Sequence, residues 1–169
     1  IENKPSAGGV IAGEQVAKAE PDGHTMLLIS SGTAVSAALF KSLPFDTQKD
    51  FAPVSLIGIA PLYMMARANL GFKTLKDYVD YAKANPGKLN FASAAIGSAP
   101  HFGGELLNIV AGIKTTHVPF NGAAPANQAM LPNNGDSYMA GVSSAKPHVD
   151  SGKAVLLKGG HFADGEAAG

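Results

Sequence analysis

The stretch from Leu89 to Val110 passes from a short apolar run into a helix-like pattern through a turn of small residues. The turn reads Ser-Ala-Ala-Ile-Gly-Ser-Ala, and Pro100 stands in the first turn of the helix that follows. Proline is favoured there because its missing N–H would lack a partner anyway. Small side chains let a ligand approach the backbone, and the unpaired N–H groups of a helix start attract negative charge. The pattern predicts an α/β unit whose loop either holds an anion or is an ordinary connecting turn.

Composition limits how such an anion could be held. Thirteen basic residues balance thirteen acidic ones, so no net charge draws the chain to nucleic acid or to an anionic membrane. Arg67 is the only arginine, although arginine is the usual bidentate partner of carboxylates and phosphates. Backbone amides and hydroxyls would therefore do most of the binding. The absence of cysteine excludes disulfides and thiolate chemistry.

Strand-like and helix-like segments alternate along the chain. The predicted helices cover residues 10–19, 34–40, 74–85, 98 onward, 123–131 and 144–150. The predicted strands cover residues 25–29, 54–59, 62–66, 89–92, 115–118, 136–140 and 154–157. This alternation predicts an α/β fold with parallel strands and covering helices.

An irregular, proline-marked stretch around residues 43–53 predicts a crossing between two lobes. We assign residues 1–52 to part of a first lobe and residues 53–158 to a second lobe. The small and polar residues 159–169 are expected to form an irregular tail.

Ligands of open α/β sheets bind outside the carboxyl ends of the strands. Applied to this chain, the rule selects four loops that are rich in small, hydroxyl or amide residues and carry no charge: residues 30–33, 93–98, 119–122 and 140–143. Together these loops predict a binding site for a small molecule.

A catalytic alternative uses Ser98 and His101 as a nucleophile and base in a hydrolase or transferase. The spacing Ser-x-x-His is common by chance, and the loop does not read Gly-x-Ser-x-Gly. Ser98 fits better as a helix cap, and His101 as a hydrogen-bonding residue near a ligand. The five histidines show no metal-ligand spacing, and no Gly-x-Gly-x-x-Gly follows a strand, so we predict neither a metal nor a cofactor.

A series of short sequence motifs occurs in order along most of the chain. They are ENKPSAGG at 2–9, AKAEPDGHT at 17–25, LPFD at 43–46, KDFAPVSL at 49–56, ANPGKLNFAS at 84–93, HVPFNGAAPA at 117–126, PHV at 147–149 and SGK at 151–153. In these motifs the chain resembles the substrate-binding receptors of tripartite tricarboxylate transporters, the Bordetella uptake gene (Bug) family.

The resemblance implies a non-enzymatic, periplasmic receptor with a two-lobed, type II periplasmic binding fold that closes on a small organic acid. The acid could be a mono-, di- or tricarboxylate or an amino acid, and the partners would be the membrane components of the transporter. A ligand-sensing domain of the same fold is an alternative. The implied ligand-binding residues are Ser31, Gly32, Thr33, Ser93, Ala94, Gly97, Ser98, His101, Asn121 and Gly122. Since no Arg or Lys clamp is implied, we expect binding to change little between about pH 6 and 8.

Three departures from the family pattern are visible. The family's first strand and its Pro-Pro-Gly-Gly-like loop would lie before Ile1, and the match fades after Lys153. Ala140 and Gly141 stand where members commonly have Asp-Asn. We therefore expect the chain to correspond to about the middle half of a full receptor.

Overall fold

A computed structural model describes residues 1–4, 9–130 and 135–157, apart from the side chain of Ser36. The predicted tail and most of the turn predicted after residue 131 lie outside the described residues. The helices are α1 (Val10–Ala17), α2 (Ser31–Leu39), α3 (Leu75–Ala84), α4 (Ala99–Ala111), α5 (Ala123–Ala129) and α6 (Val142–Asp150). The strands are β1 (Leu62–Arg67), β2 (Asn90–Ser93), β3 (Thr116–Pro119), β4 (Ser137–Gly141) and β5 (Ala154–Leu156).

The five strands form one mixed sheet in the order β3-β2-β4-β1-β5. Strand β2 is parallel to both β3 and β4, whereas β1 is antiparallel to β4 and β5. The sheet is parallel-rich as predicted, with the exception of β1, which alone runs against the other four. Leu62 pairs with Gly141, so β1 enters the sheet at the edge where β4 ends. The direction of β1 was not predicted from the sequence, because a helix between two strands usually joins parallel strands.

Two predicted strands do not form. Residues 25–29 and 54–59 have no regular structure, and they are not buried: Leu28 is 77% exposed and Ile57 is 84% exposed. A strand needs a neighbour to accept and donate its backbone hydrogen bonds, and neither segment has one among the described residues. The apolar residues of these two segments predicted that they would be buried, but no described part of the chain covers them.

Helix α3 begins where the sequence predicts. The hydroxyl of Thr74 accepts a hydrogen bond from the Asp77 N–H (3.1 Å), and the Asp77 carboxylate accepts one from the Thr74 N–H (2.9 Å). This reciprocal capping box satisfies two amides that the helix itself leaves unpaired. It fixes the start of the helix that leads from β1 to β2.

Helix α4 packs closely on the sheet through two glycines. A Cβ atom on Gly104 would lie 2.2 Å from the ring of Phe91, and one on Gly103 would lie 2.3 Å from the sulfur of Met139. Real Cβ atoms essentially never make contacts this short, so a larger residue at either position would force Phe91 or Met139 to shift. This packing places the start of α4 directly after the carboxyl end of β2, where the sequence predicts a ligand.

Candidate ligand-binding site

Three of the predicted loops lie at one edge of the sheet, because β2, β3 and β4 are parallel and end there. The loop after β3 is fastened to the loop after β2 by two backbone hydrogen bonds. The Phe120 N–H donates to the Ser93 carbonyl (2.9 Å), and the Gly122 N–H donates to the Ala94 carbonyl (2.7 Å). The predicted pair Asn121 and Gly122 therefore adjoins the predicted loop 93–98.

The first residues of α2 also contact loop 93–98. A Cβ atom on Gly32 would lie 2.8 Å from the Gly97 carbonyl oxygen, so the two backbones touch with no side chain between them. Thr33 is buried at 5% exposure, whereas Ser31 is exposed. The predicted residues Ser31, Gly32 and Thr33, expected in a loop after a strand, thus form the start of α2 and lie against the loop predicted after β2.

Two hydroxyl groups hold the shape of loop 93–98. The hydroxyls of Ser93 and Ser98 both donate to the Ala95 carbonyl, at 3.0 and 2.7 Å. Ser98 occupies the N-cap position of α4 as predicted, but its side chain makes no capping hydrogen bond, because it turns back to Ala95. Ser93 is fully buried, so its hydroxyl fastens the loop and is not presented to a ligand.

The start of α4 keeps backbone donors available. The N–H groups of Ala99 and His101 have no acceptor within residues 1–4, 9–130 and 135–157. The Gly97 N–H, which the sequence analysis counted among the ligand donors, is occupied: it donates to Nδ1 of His101 at 3.2 Å. Amides at a helix start carry partial positive charge and suit an anion.

A pair of histidines adjoins these donors. The rings of His101 and His117 are stacked with centroids 4.2 Å apart, and Phe91 covers the other face of His117 at 4.9 Å. Nε2 of His117 lies 2.6 Å from the Ser93 hydroxyl. The side chains of Ser98 and His101 are bonded to other groups, so the nucleophile–base pair of the catalytic alternative does not form.

His117 was missed as a site residue by the sequence analysis. It lies in β3 opposite Phe91 in the register, two residues before the end of the strand. The sequence did offer a signal for His117. It is a polar side chain near the carboxyl end of a predicted strand, and a predicted ligand loop follows it. Burial, and secondarily the nearby His101, lower the pKa of His117, while Glu105 acts in the opposite direction.

The single arginine is engaged away from these loops. Arg67 forms an ion pair with Asp136, whose carboxylate also accepts a hydrogen bond from the Asn90 N–H (2.9 Å). The pair ties β1 to the start of β4 and to β2, so the guanidinium is committed to the sheet. Within the described part of the chain, no three metal-ligating side chains cluster, and no helix is long and apolar enough to cross a bilayer.

Two cavities among the described residues lie away from the candidate loops. An open concavity of about 600 Å³ lies between the end of α2 and residues 43–48, and a void of about 10 Å³ lies beneath α4. Since Gly32 and Gly97 are in contact, a ligand could enter between the loops only after they separate.

The fold is that of a solute-binding protein of the periplasmic type, and the solved structures that resemble the chain include a periplasmic binding protein and a periplasmic transporter. Residues 1–160 match the profile of the Tripartite tricarboxylate transporter family receptor, and the chain belongs to this family. The resemblance read from the sequence is thereby confirmed. The members of this family bind solutes and are not enzymes, which agrees with the prediction of a non-enzymatic protein.

Individual relatives agree with this assignment. Protein BugT of Bordetella pertussis is 32% identical over 159 residues, which cover 93% of this chain and 49% of BugT. MatC from Rhodopseudomonas palustris, solved with bound malate, is 35% identical with a TM-score of 0.84 over 93% of this chain and 54% of MatC. A second protein from R. palustris, solved with adipate, is 27% identical with a TM-score of 0.87 over 93% of this chain and 53% of that protein. The chain spans about half the length of the relatives it matches.

Proposed function

We propose that the protein is a periplasmic receptor that captures a small organic carboxylate and delivers it to the membrane components of a tripartite transporter. The ligand would lie between the start of α2 and loop 93–98, with one carboxylate on the N–H groups of Ala99 and His101. Two related structures hold malate and adipate, which supports a dicarboxylate as the ligand class.

One observation carries this proposal: uncharged loops converge on a helix start that has unpaired amides, and the single arginine is committed elsewhere. A carboxylate can be bound by amide donors without a charged partner, as at other helix starts. The contact between Gly32 and Gly97 supports a site formed from two loops that close on each other. The assignment of residues 1–52 and 53–158 to two lobes stays a prediction within this proposal.

A thermal-shift and calorimetry series on the intact protein tests the function. Malate, adipate, a monocarboxylate, a tricarboxylate and an amino acid are each added, and a ligand that binds the folded state raises the melting temperature. We expect at least one dicarboxylate to do so. No shift with any organic acid, at concentrations well above those of ordinary receptor affinities, would overturn the proposal.

The variant Ser98→Ala tests the site. Removal of the hydroxyl leaves the Ala95 carbonyl with one donor fewer and loosens the loop, so we expect affinity to fall by about 1 kcal/mol. Ser151→Ala is the matched control, because the Ser151 hydroxyl also donates to the carbonyl three residues earlier, at 3.1 Å, but on the exposed end of α6. Equal affinity of the two variants would place the ligand elsewhere.

A further inference from the structure

Loop 93–98 is attached to an imidazole at each end. The Ser93 hydroxyl contacts Nε2 of His117 at 2.6 Å, and the Gly97 N–H donates to Nδ1 of His101 at 3.2 Å. The two rings are stacked on each other at 4.2 Å. The positions of both loop ends therefore depend on one pair of titratable side chains.

The bond from Gly97 fixes the protonation state of His101. A backbone N–H can only donate, so Nδ1 must carry a lone pair and the ring proton must reside on Nε2. Protonation of the ring adds a hydrogen at Nδ1 and removes the acceptor that Gly97 uses. The Gly97 N–H is then released beside the unpaired amides of Ala99 and His101.

From this geometry we infer that His101 couples ligand binding to proton uptake: its neutral ring occupies the Gly97 amide, and its protonated ring frees that amide for a carboxylate. His101 is then a positioning residue as well as a nearby positive charge. The inference rests on the proposed function, since it places a carboxylate at the start of α4. It also replaces the expectation, drawn from the sequence, that binding changes little with pH.

Few titratable groups surround His101. Helix α4 contributes His101 and Glu105, β3 contributes only His117, and neither β2, loop 93–98 nor residues 30–33 contains a titratable side chain. Two protonated rings stacked face to face would repel each other. Burial lowers the pKa of the His117 ring.

The sign of the pH effect follows. A bound carboxylate favours the protonated ring, so binding takes up protons and affinity rises as pH falls through the range in which histidines titrate. An opposite charge within about 4–6 Å shifts a proton equilibrium by roughly one pH unit or more, and linkage converts this to about a tenfold gain in affinity. The gain should develop across the pH range in which histidines titrate.

Calorimetry on the intact protein, with malate and adipate as probes, measures this coupling. Titrations at about pH 8 and pH 5.5, each in two buffers of different ionisation enthalpy, give both the affinity and the number of protons taken up. We expect about a tenfold tighter dissociation constant at the lower pH and uptake of up to one proton. A flat profile for a protein that does bind a probe would overturn the inference and leave the proposed function intact.

His101→Asn separates titration from structure. The Asn Oδ1 stands near the place of Nδ1 and can accept from Gly97, but it does not titrate in this range. We expect the variant to bind with little dependence on pH, whereas His24→Asn, a control at an exposed histidine, should keep the wild-type profile. A pH dependence that persists in His101→Asn would overturn the inference.

The free protein provides a readout that needs no ligand. The amide resonance of Gly97 should titrate together with the His101 ring in an NMR pH series, and this titration should be lost in His101→Asn. A Gly97 resonance that does not respond to pH would overturn the inference even if a carboxylate binds. Failure of every probe to bind would refute the proposed function and the binding half of the inference together, while the resonance would still decide whether His101 controls the Gly97 amide.

Discussion

At the scale of single residues, Gly32 determines how closely the two sides of the site approach. Its missing Cβ would lie 2.8 Å from the Gly97 carbonyl oxygen, which belongs to the backbone and cannot rotate away. An added methyl group must therefore push the loops apart. Both loops are rich in small residues, as the sequence shows. The close approach of the two backbones is the structural reason, which the sequence does not reveal.

We predict that Gly32→Ala weakens carboxylate binding by about 1 kcal/mol or more, because the loops no longer close fully. Calorimetry with malate or adipate measures the change. Gly58→Ala is the control, since nothing lies within 4 Å of the Cβ position of Gly58. Unaltered affinity in Gly32→Ala would mean that the closed contact between Gly32 and Gly97 is not part of the liganded site.

At the scale of elements, helix α4 and strand β2 form the unit that presents the site. The helix can approach the strand only because Gly104 faces Phe91, with 2.2 Å between the Cβ position and the ring. Phe91 in turn stacks on His117, so a displacement of the helix would reach the histidine pair. The packing of α4 therefore controls both stability and the geometry of loop 93–98.

We predict that Gly104→Ala lowers the free energy of unfolding by about 1–3 kcal/mol, which is the usual cost of overpacking a core. Urea unfolding followed by circular dichroism measures it. Gly141→Ala should be nearly neutral, because Gly141 has an ordinary φ of −68° and nothing within 4 Å of its Cβ position. A stable Gly104→Ala protein would show that Phe91 can move aside.

The sequence predicted some of these elements correctly and others not. Local signals were sufficient for α3, whose Thr74 and Asp77 form the predicted capping box, and for the placement of α4 after a small-residue loop. They failed for the direction of β1 and for residues 25–29 and 54–59, since strand pairing depends on neighbours that are distant in sequence. The site was predicted at the level of loops, but the pairing of Gly97 with His101 and the role of His117 required three-dimensional contacts.

At the scale of the whole molecule, two apolar segments expose surface that folded proteins normally cover. Leu56, Ile57 and Ile59 are each about four-fifths exposed, and Met26 and Leu28 are 76% and 77% exposed. The chain spans about half the length of its relatives. Large exposed apolar patches are typical of surfaces that another part of a protein covers.

We predict that the chain binds a hydrophobic dye and self-associates through these segments, because contiguous exposed apolar residues promote both. Ile57→Lys should reduce self-association in light scattering. Ile109→Lys is the control, since Ile109 is similarly exposed (77% against 84%) but stands on the outer face of α4. Equal effects of the two substitutions would mean that self-association depends on general surface hydrophobicity and not on these two segments.

The contact between Gly32 and Gly97 finally bears on how fast a solute can exchange. A barrier made of two main chains cannot be opened by the picosecond rotamer changes that suffice when a side chain blocks an entrance. Whole segments must be displaced together, and such collective motions take microseconds to milliseconds. We therefore expect relaxation-dispersion NMR to detect exchange at both glycines on that timescale.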